Sequence, residues 1–195
     1  MPFTHASRRG KTYYLHVGKT KTGKDKHFCS TKSDGTLLDA VPEGFEVYEN
    51  PDGLVYLRRK TRTLLTPEEL GCVEEAVKRE TSLKDYEFKI EHDQDTITVF
   101  TINDDPKAML EALNPFRARH EHFVREFALR SGTFTAMMRF RLVNSQKRLF
   151  DAERFCFRGS VDNWIPISRS EKLPALAKRF VTHLDKESFY DLMWP

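Results

Sequence analysis

Two groups of cations have a spacing that could do chemistry. The first is Gly18-Lys19-Thr20-Lys21-Thr22-Gly23-Lys24, which matches the opening seven positions of a phosphate-binding P-loop. Such a loop works because backbone amides at a helix N-terminus surround phosphate oxygens while a Ser or Thr binds Mg²⁺. Here the Mg²⁺ position is Asp25, and the run that follows, KHFCST, favours a strand over a helix. Without the helix there is neither dipole nor amide nest, so no Mg²⁺-dependent ATP or GTP hydrolysis is expected.

The same residues read better as the tip of a basic β-ribbon. Lys19, Lys21, Lys24 and Lys26 alternate with small polar residues, and Tyr13, Tyr14 and Phe28 sit on the flanking segments. Lysines bind phosphates by releasing counterions, aromatic faces stack on bases, and a two-stranded ribbon fits a DNA major groove. The competing reading is that the lysines keep an exposed hairpin from aggregating and the aromatics belong to the core.

The second group is arginine. In 134–158, Met138, Phe140 and Leu142 alternate with Arg139 and Arg141, and Phe155 and Phe157 alternate with Arg154, Cys156 and Arg158. If these runs pair as a hairpin, alternation puts the aromatics on the core face and all four arginines on the other. Four guanidiniums on one face need an anion, supplied either by Glu153 and the acidic segment 66–115 or by a phosphate-bearing ligand.

Other candidates are weaker. On a helix, His120 and His122 point about 200° apart and cannot share a metal. No third ligand lies nearby and the HExxH spacing is absent, so no metal site is assigned and His120 reads as a partly buried core residue. Cys29 and Cys156 lack a local acid–base signature, so a thiol nucleophile is not supported. Asp93 and Asp95 read as turn residues.

The elements that must position these groups are mostly legible. TYYLHV (12–17) and KHFCST (26–31) read as strands, and Pro51-Asp52-Gly53 joins FEVYEN (45–50) to LVYLRRK (54–60) in a hairpin. Thr66-Pro67-Glu68-Glu69 is a capping box that opens an acidic helix ending near Thr81. YEFKIEH (86–92) and TITVFTI (96–102) form a second hairpin. Helices are expected from Asp104 or Asp105 to Asn114, over 116–130 and over 172–184. WIPIS (164–168) is a short strand whose Pro166 favours a sheet edge.

The fold expected is therefore α+β. A basic tail (1–10) precedes a small antiparallel β module (11–62) of about four strands. An α+β domain (63–195) of antiparallel hairpins with three to four helices follows.

Charge is strongly segregated along the chain. Residues 1–33 carry eight Lys/Arg against one acid, 66–115 five bases against thirteen acids, and 116–195 fifteen bases against nine acids. The total over 195 residues is only +3, so the pattern says more than the sum. Fifteen Phe supply a core, no apolar run is long enough for a transmembrane helix, and no secretory leader is visible. Three dispersed Cys suit reduced thiols in the cytoplasm.

These features favour a binding protein over an enzyme. It would contact DNA, RNA or another phosphate-rich partner through Tyr14, Lys19, Lys21, Lys24, Lys26, Arg139, Arg141, Arg154 and Arg158, with no cofactor and no membrane. The alternatives are an adaptor whose basic ends dock an acidic protein, and an enzyme acting on a phosphorylated small molecule with His120 or His122 as acid–base. Composition does not define the oligomeric state.

Overall fold

The computed structural model describes residues 1–157 and 163–193. Among these the fold is α+β, with ten antiparallel strands in three sheets and five α-helices. The chain forms two compact units, 1–60 with 104–133 and 61–103 with 134–195.

In the first unit β1 (Thr4–Ala6), β2 (Thr12–Lys19) and β3 (Asp25–Ser30) form one sheet in the order β1-β2-β3. Thr4–Ala6, placed by sequence in a basic tail, pair instead with Thr12–Tyr14. Gly10, at φ +74°, closes the turn between them and lets the tail fold back. A separate hairpin joins β4 (Phe45–Glu49) to β5 (Val55–Arg59), so the strands of 11–62 lie in two sheets rather than one.

Three helices complete this unit: α2 (Pro106–Leu113), α3 (Pro115–Ala118) and α4 (Glu121–Ser131). Sequence periodicity suggested two. The Asn114 side chain caps α3 from outside, accepting from Arg117 N at 3.1 Å, and His120 in extended backbone separates α3 from α4.

Arg8 explains why 104–133 joins this unit. Its backbone N–H donates to Glu49 Oε1 at 2.9 Å, and its guanidinium donates to the carbonyls of Pro51, Leu129 (2.5 Å) and Gly132 (3.3 Å). Arg9 also donates to Gly132 O at 3.3 Å. Two cations thus satisfy the carbonyls at the C-terminus of α4, the negative end of the helix dipole. Burial, followed by the neighbouring Arg9, lowers the pKa of Arg8.

The second unit is a five-stranded meander in the order β10-β9-β8-β7-β6. Its strands are β6 (Phe88–His92), β7 (Thr96–Ile102), β8 (Phe134–Asn144), β9 (Leu149–Cys156) and β10 (Asn163–Lys172). Helices α1 (Pro67–Glu80) and α5 (Leu173–Phe180) cover one face. Val73, Val77, Leu176 and Ala177 meet Ile97, Val99, Met138, Phe140, Phe150 and Ala152 in the buried cluster. The capping box at α1 forms as the sequence predicts, and Pro166 lies on the edge strand β10.

Candidate phosphate-binding surfaces

The Gly18–Lys24 motif is a hairpin tip, not a P-loop. Lys19 pairs with Asp25 and Gly18 with Lys26 across β2 and β3. Thr20 N donates to Lys24 O at 2.8 Å, Gly23 N donates to Thr20 O at 2.9 Å, and Gly23 takes φ +79°. A strand therefore follows the glycine–lysine run, where a P-loop would require a helix N-terminus.

Register divides the ribbon's residues. Tyr14, His16 and Gly18 share a face with Ser30, Phe28 and Lys26, while Tyr13, Leu15 and Lys19 face the other way with Cys29 and Asp25. Tyr13 and Leu15 are buried and Tyr14 is half-buried. Lys21, Lys24 and Lys26 are exposed at or beside the tip. Lys19 is exposed too, but its ammonium is bonded to Asp25, and that bond holds the Asp25 carboxyl below its ordinary range. Among the described residues, Lys19 is thus the one of the four lysines with a carboxylate already against it.

Phe28 is the residue that the register makes prominent. It is 38 % exposed, with its ring stacked on His16 at 5.2 Å and 11°, and with Lys26 Nζ 5.8 Å from its centroid. His16 is buried, and its Nε2–H donates to the Lys32 carbonyl at 3.0 Å. The sequence offers Phe28 with Tyr13 and Tyr14 as flanking aromatics able to stack on bases, and singles out Tyr14 among them. Alternation is the signal that finds Phe28, once His16 and Phe28 are known to be opposite each other.

The arginine face differs from the expected one. β8 and β9 pair Arg139 with Glu153 and Arg141 with Asp151, so these four share the outer face. The same register pairs Met138 with Arg154, which turns Arg154 to the inner face. Arg154 is only 4 % exposed. Its Nε donates to Leu192 O at 2.6 Å and its Nη2 to Tyr190 O at 2.8 Å, fastening the C-terminal segment. Phe155, expected in the core, instead lies on the outer side against Trp164 at 5.3 Å. The difference is one of parity: alternation orders each strand internally, but the connection after Asn144 decides how the two strands match. Arg158 lies outside the described residues.

Charge on the outer face is balanced from within. Arg139 Nε donates to Glu153, and its guanidinium stacks 4.4 Å from the Trp164 ring centroid. Arg141 Nη2 lies 3.5 Å from Asp151 and 3.8 Å from Glu153. Two cations thus face two carboxylates, and among the described residues the compensating acids are on β9. The acidic helix finds a different partner: Arg148 donates to Glu69 and to the Leu64 carbonyl, locking the start of α1.

The remaining candidates gain little. His120 and His122 are both exposed, so His120 is not a core residue; the tilt of its ring against Phe116 and Phe123 stays at the surface. Among the described residues no three His, Cys, Asp or Glu are grouped to hold a metal. Burial pushes the Cys29 and Cys72 thiols up, opposite to the activation a nucleophile needs. Among the described residues, no helix is long and apolar enough to cross a membrane.

Comparison with known proteins finds no matching family, no matching curated protein and no matching solved structure.

Proposed function

We propose that the protein binds a phosphate-rich partner, nucleic acid, through the β2–β3 ribbon of its first unit. The observation that carries this reading is the shared face of Tyr14, Lys26 and Phe28, continuous with a tip bearing Lys21 and Lys24. Exposed ammonium groups supply affinity for phosphates of any sequence, and an adjacent aromatic surface suits the bases between them. Arg139 and Arg141 add less, because each already faces a carboxylate. Arg154 is withdrawn into the fold and supports the structure instead.

The test is a salt titration of binding to a labelled oligonucleotide, comparing the native protein with a Lys21→Gln, Lys24→Gln, Lys26→Gln triple variant. The native protein should lose affinity steeply with salt, and the triple variant should bind weakly with a flatter slope. Equal binding and equal slope for both proteins would remove the ribbon as the binding element.

A second reading, an adaptor for an acidic protein, rests on one observation. Leu113 and Phe116, at the junction of α2 and α3, are 73 % and 71 % exposed, with the exposed Arg117 and Arg119 following directly. Apolar side chains beside arginines suit an acidic partner with an apolar face. A Leu113→Ser, Phe116→Ser variant that keeps oligonucleotide binding but loses an acidic protein partner would separate this surface from the ribbon.

A further inference from the structure

We infer that the Phe28 ring is a stacking platform for an unpaired nucleobase, so that the ribbon's partner is single-stranded nucleic acid rather than duplex. The inference rests on the ribbon reading above and names its substrate class.

Three features of the face support it. His16 occupies one side of Phe28 and is itself held by the Lys32 carbonyl, so the aromatic ring is backed by a fixed, buried group. Gly18 lies across from Lys26 on the same face, and a Cβ there would sit 3.4 Å from Phe28 Cε1. The ring therefore packs its edge against the Gly18 backbone as well as stacking on His16. Lys26 Nζ lies 5.8 Å from the ring centroid, and the exposed Lys21 and Lys24 follow at the tip of the same hairpin, so cations that can contact phosphates adjoin the ring.

Duplex cannot use such a platform. In a double helix the faces of the bases are covered by their neighbours, and only edges show in the grooves. An aromatic ring that stacks must therefore meet a base already out of the helix. Phe carries no hydrogen-bonding group, so the platform accepts any base and reads no sequence. Tyr14, next along the same face, extends the surface toward β1.

The experiment is fluorescence anisotropy at constant salt with three probes: a dT or rU oligomer of on the order of ten nucleotides, a blunt duplex of matching length, and heparin as a polyanion without bases. The native protein should bind the single strand at least about tenfold tighter than the duplex. Phe28→Leu keeps apolar bulk at a partly exposed site while removing the π face. It should weaken single-strand binding by about five- to tenfold or more, leave heparin binding unchanged, and recover in Phe28→Trp. Equal affinity for single strand and duplex, or unaltered single-strand binding by Phe28→Leu, overturns the inference and leaves the ribbon's phosphate binding standing. Failure of the native protein to bind all three probes overturns both.

Discussion

Gly53 and Gly71 show how the same residue type can be required at one site and dispensable at another. Gly53 turns the β4–β5 hairpin at φ +73°, and a Cβ there would come within 2.9 Å of Arg9 Cγ and 3.2 Å of Arg8 Nε. Gly53→Ala should cost about 1–3 kcal/mol, from backbone strain and from disturbing the two arginines that cap α4. Gly71 lies inside α1, where an added Cβ would meet nothing within 4 Å, so Gly71→Ala should stabilise by about 1 kcal/mol. Urea denaturation of both variants checks the opposite signs. Arginines divide the same way. Arg154→Met strands the Tyr190 and Leu192 carbonyls and should cost about 3 kcal/mol. Arg139→Ala should cost more than Arg141→Ala, which should lose about 1 kcal/mol or less, because the Arg141 side chain is 45 % exposed and that of Arg139 only 29 %. A reversed order in thermal melts would show that the Arg141 pairs with Asp151 and Glu153 dominate that face.

Elements with a strong local signal formed where their residues indicate. Thr66 accepts from Glu69 N, and Glu69 Oε2 accepts from Thr66 N at 3.0 Å, so the capping box over Thr66–Glu69 closes in both directions. Thr66→Ala should cost about 1 kcal/mol. The Gly53 turn and the Asp93–Asp95 turn close their hairpins for equally local reasons. The stretch 114–121 behaved differently, because Phe and His at helical spacing say nothing of where a capping Asn or an extended residue will interrupt. One link between elements depends on pH. Asp185 accepts from Ser82 N at 2.8 Å and Ser82 Oγ at 2.6 Å, tying the end of α1 to the segment after α5. Burial opposes its ionisation, yet these bonds hold its pKa below the ordinary value. A depressed carboxyl contributes stability that is present above the unfolded-state pKa and is lost as pH falls through the native one. Asp185→Asn should therefore be less stable than the native protein near neutrality and should lose less stability on acidification. Parallel acid limbs in the two stability profiles would exclude Asp185 as a contributor.

Across the two units, charge is regrouped by the fold. The first unit holds 16 Lys and Arg against 12 Asp and Glu, a balance of +4, and the second holds 16 against 17. The acidic stretch from 66 and the basic C-terminal stretch fall largely in the same unit, where pairs such as Arg148–Glu69 bring them together. The basic N-terminal ribbon keeps its excess. Its salt dependence should accordingly reflect three lysines more than four: removing Lys21, Lys24 and Lys26 should flatten log K against log salt by about 2 on single strands, while Lys19→Gln alone should change it little because Asp25 already faces Lys19. A loss of about 0.7 in slope for Lys19→Gln, the full single-strand share of one contact, would contradict that assignment. The features legible from the residues alone are local: the α+β class, the capped helix, the glycine turns, the alternation of each strand and the loss of a helix after Lys24. These follow from interactions between residues a few positions apart. Strand pairing settles the rest: which face of β9 carries Arg154, which lysine meets an acid, and that Phe28 rests on His16. Each of these depends on the register between strands, and a one-residue change in a turn would invert it without altering either strand's own pattern.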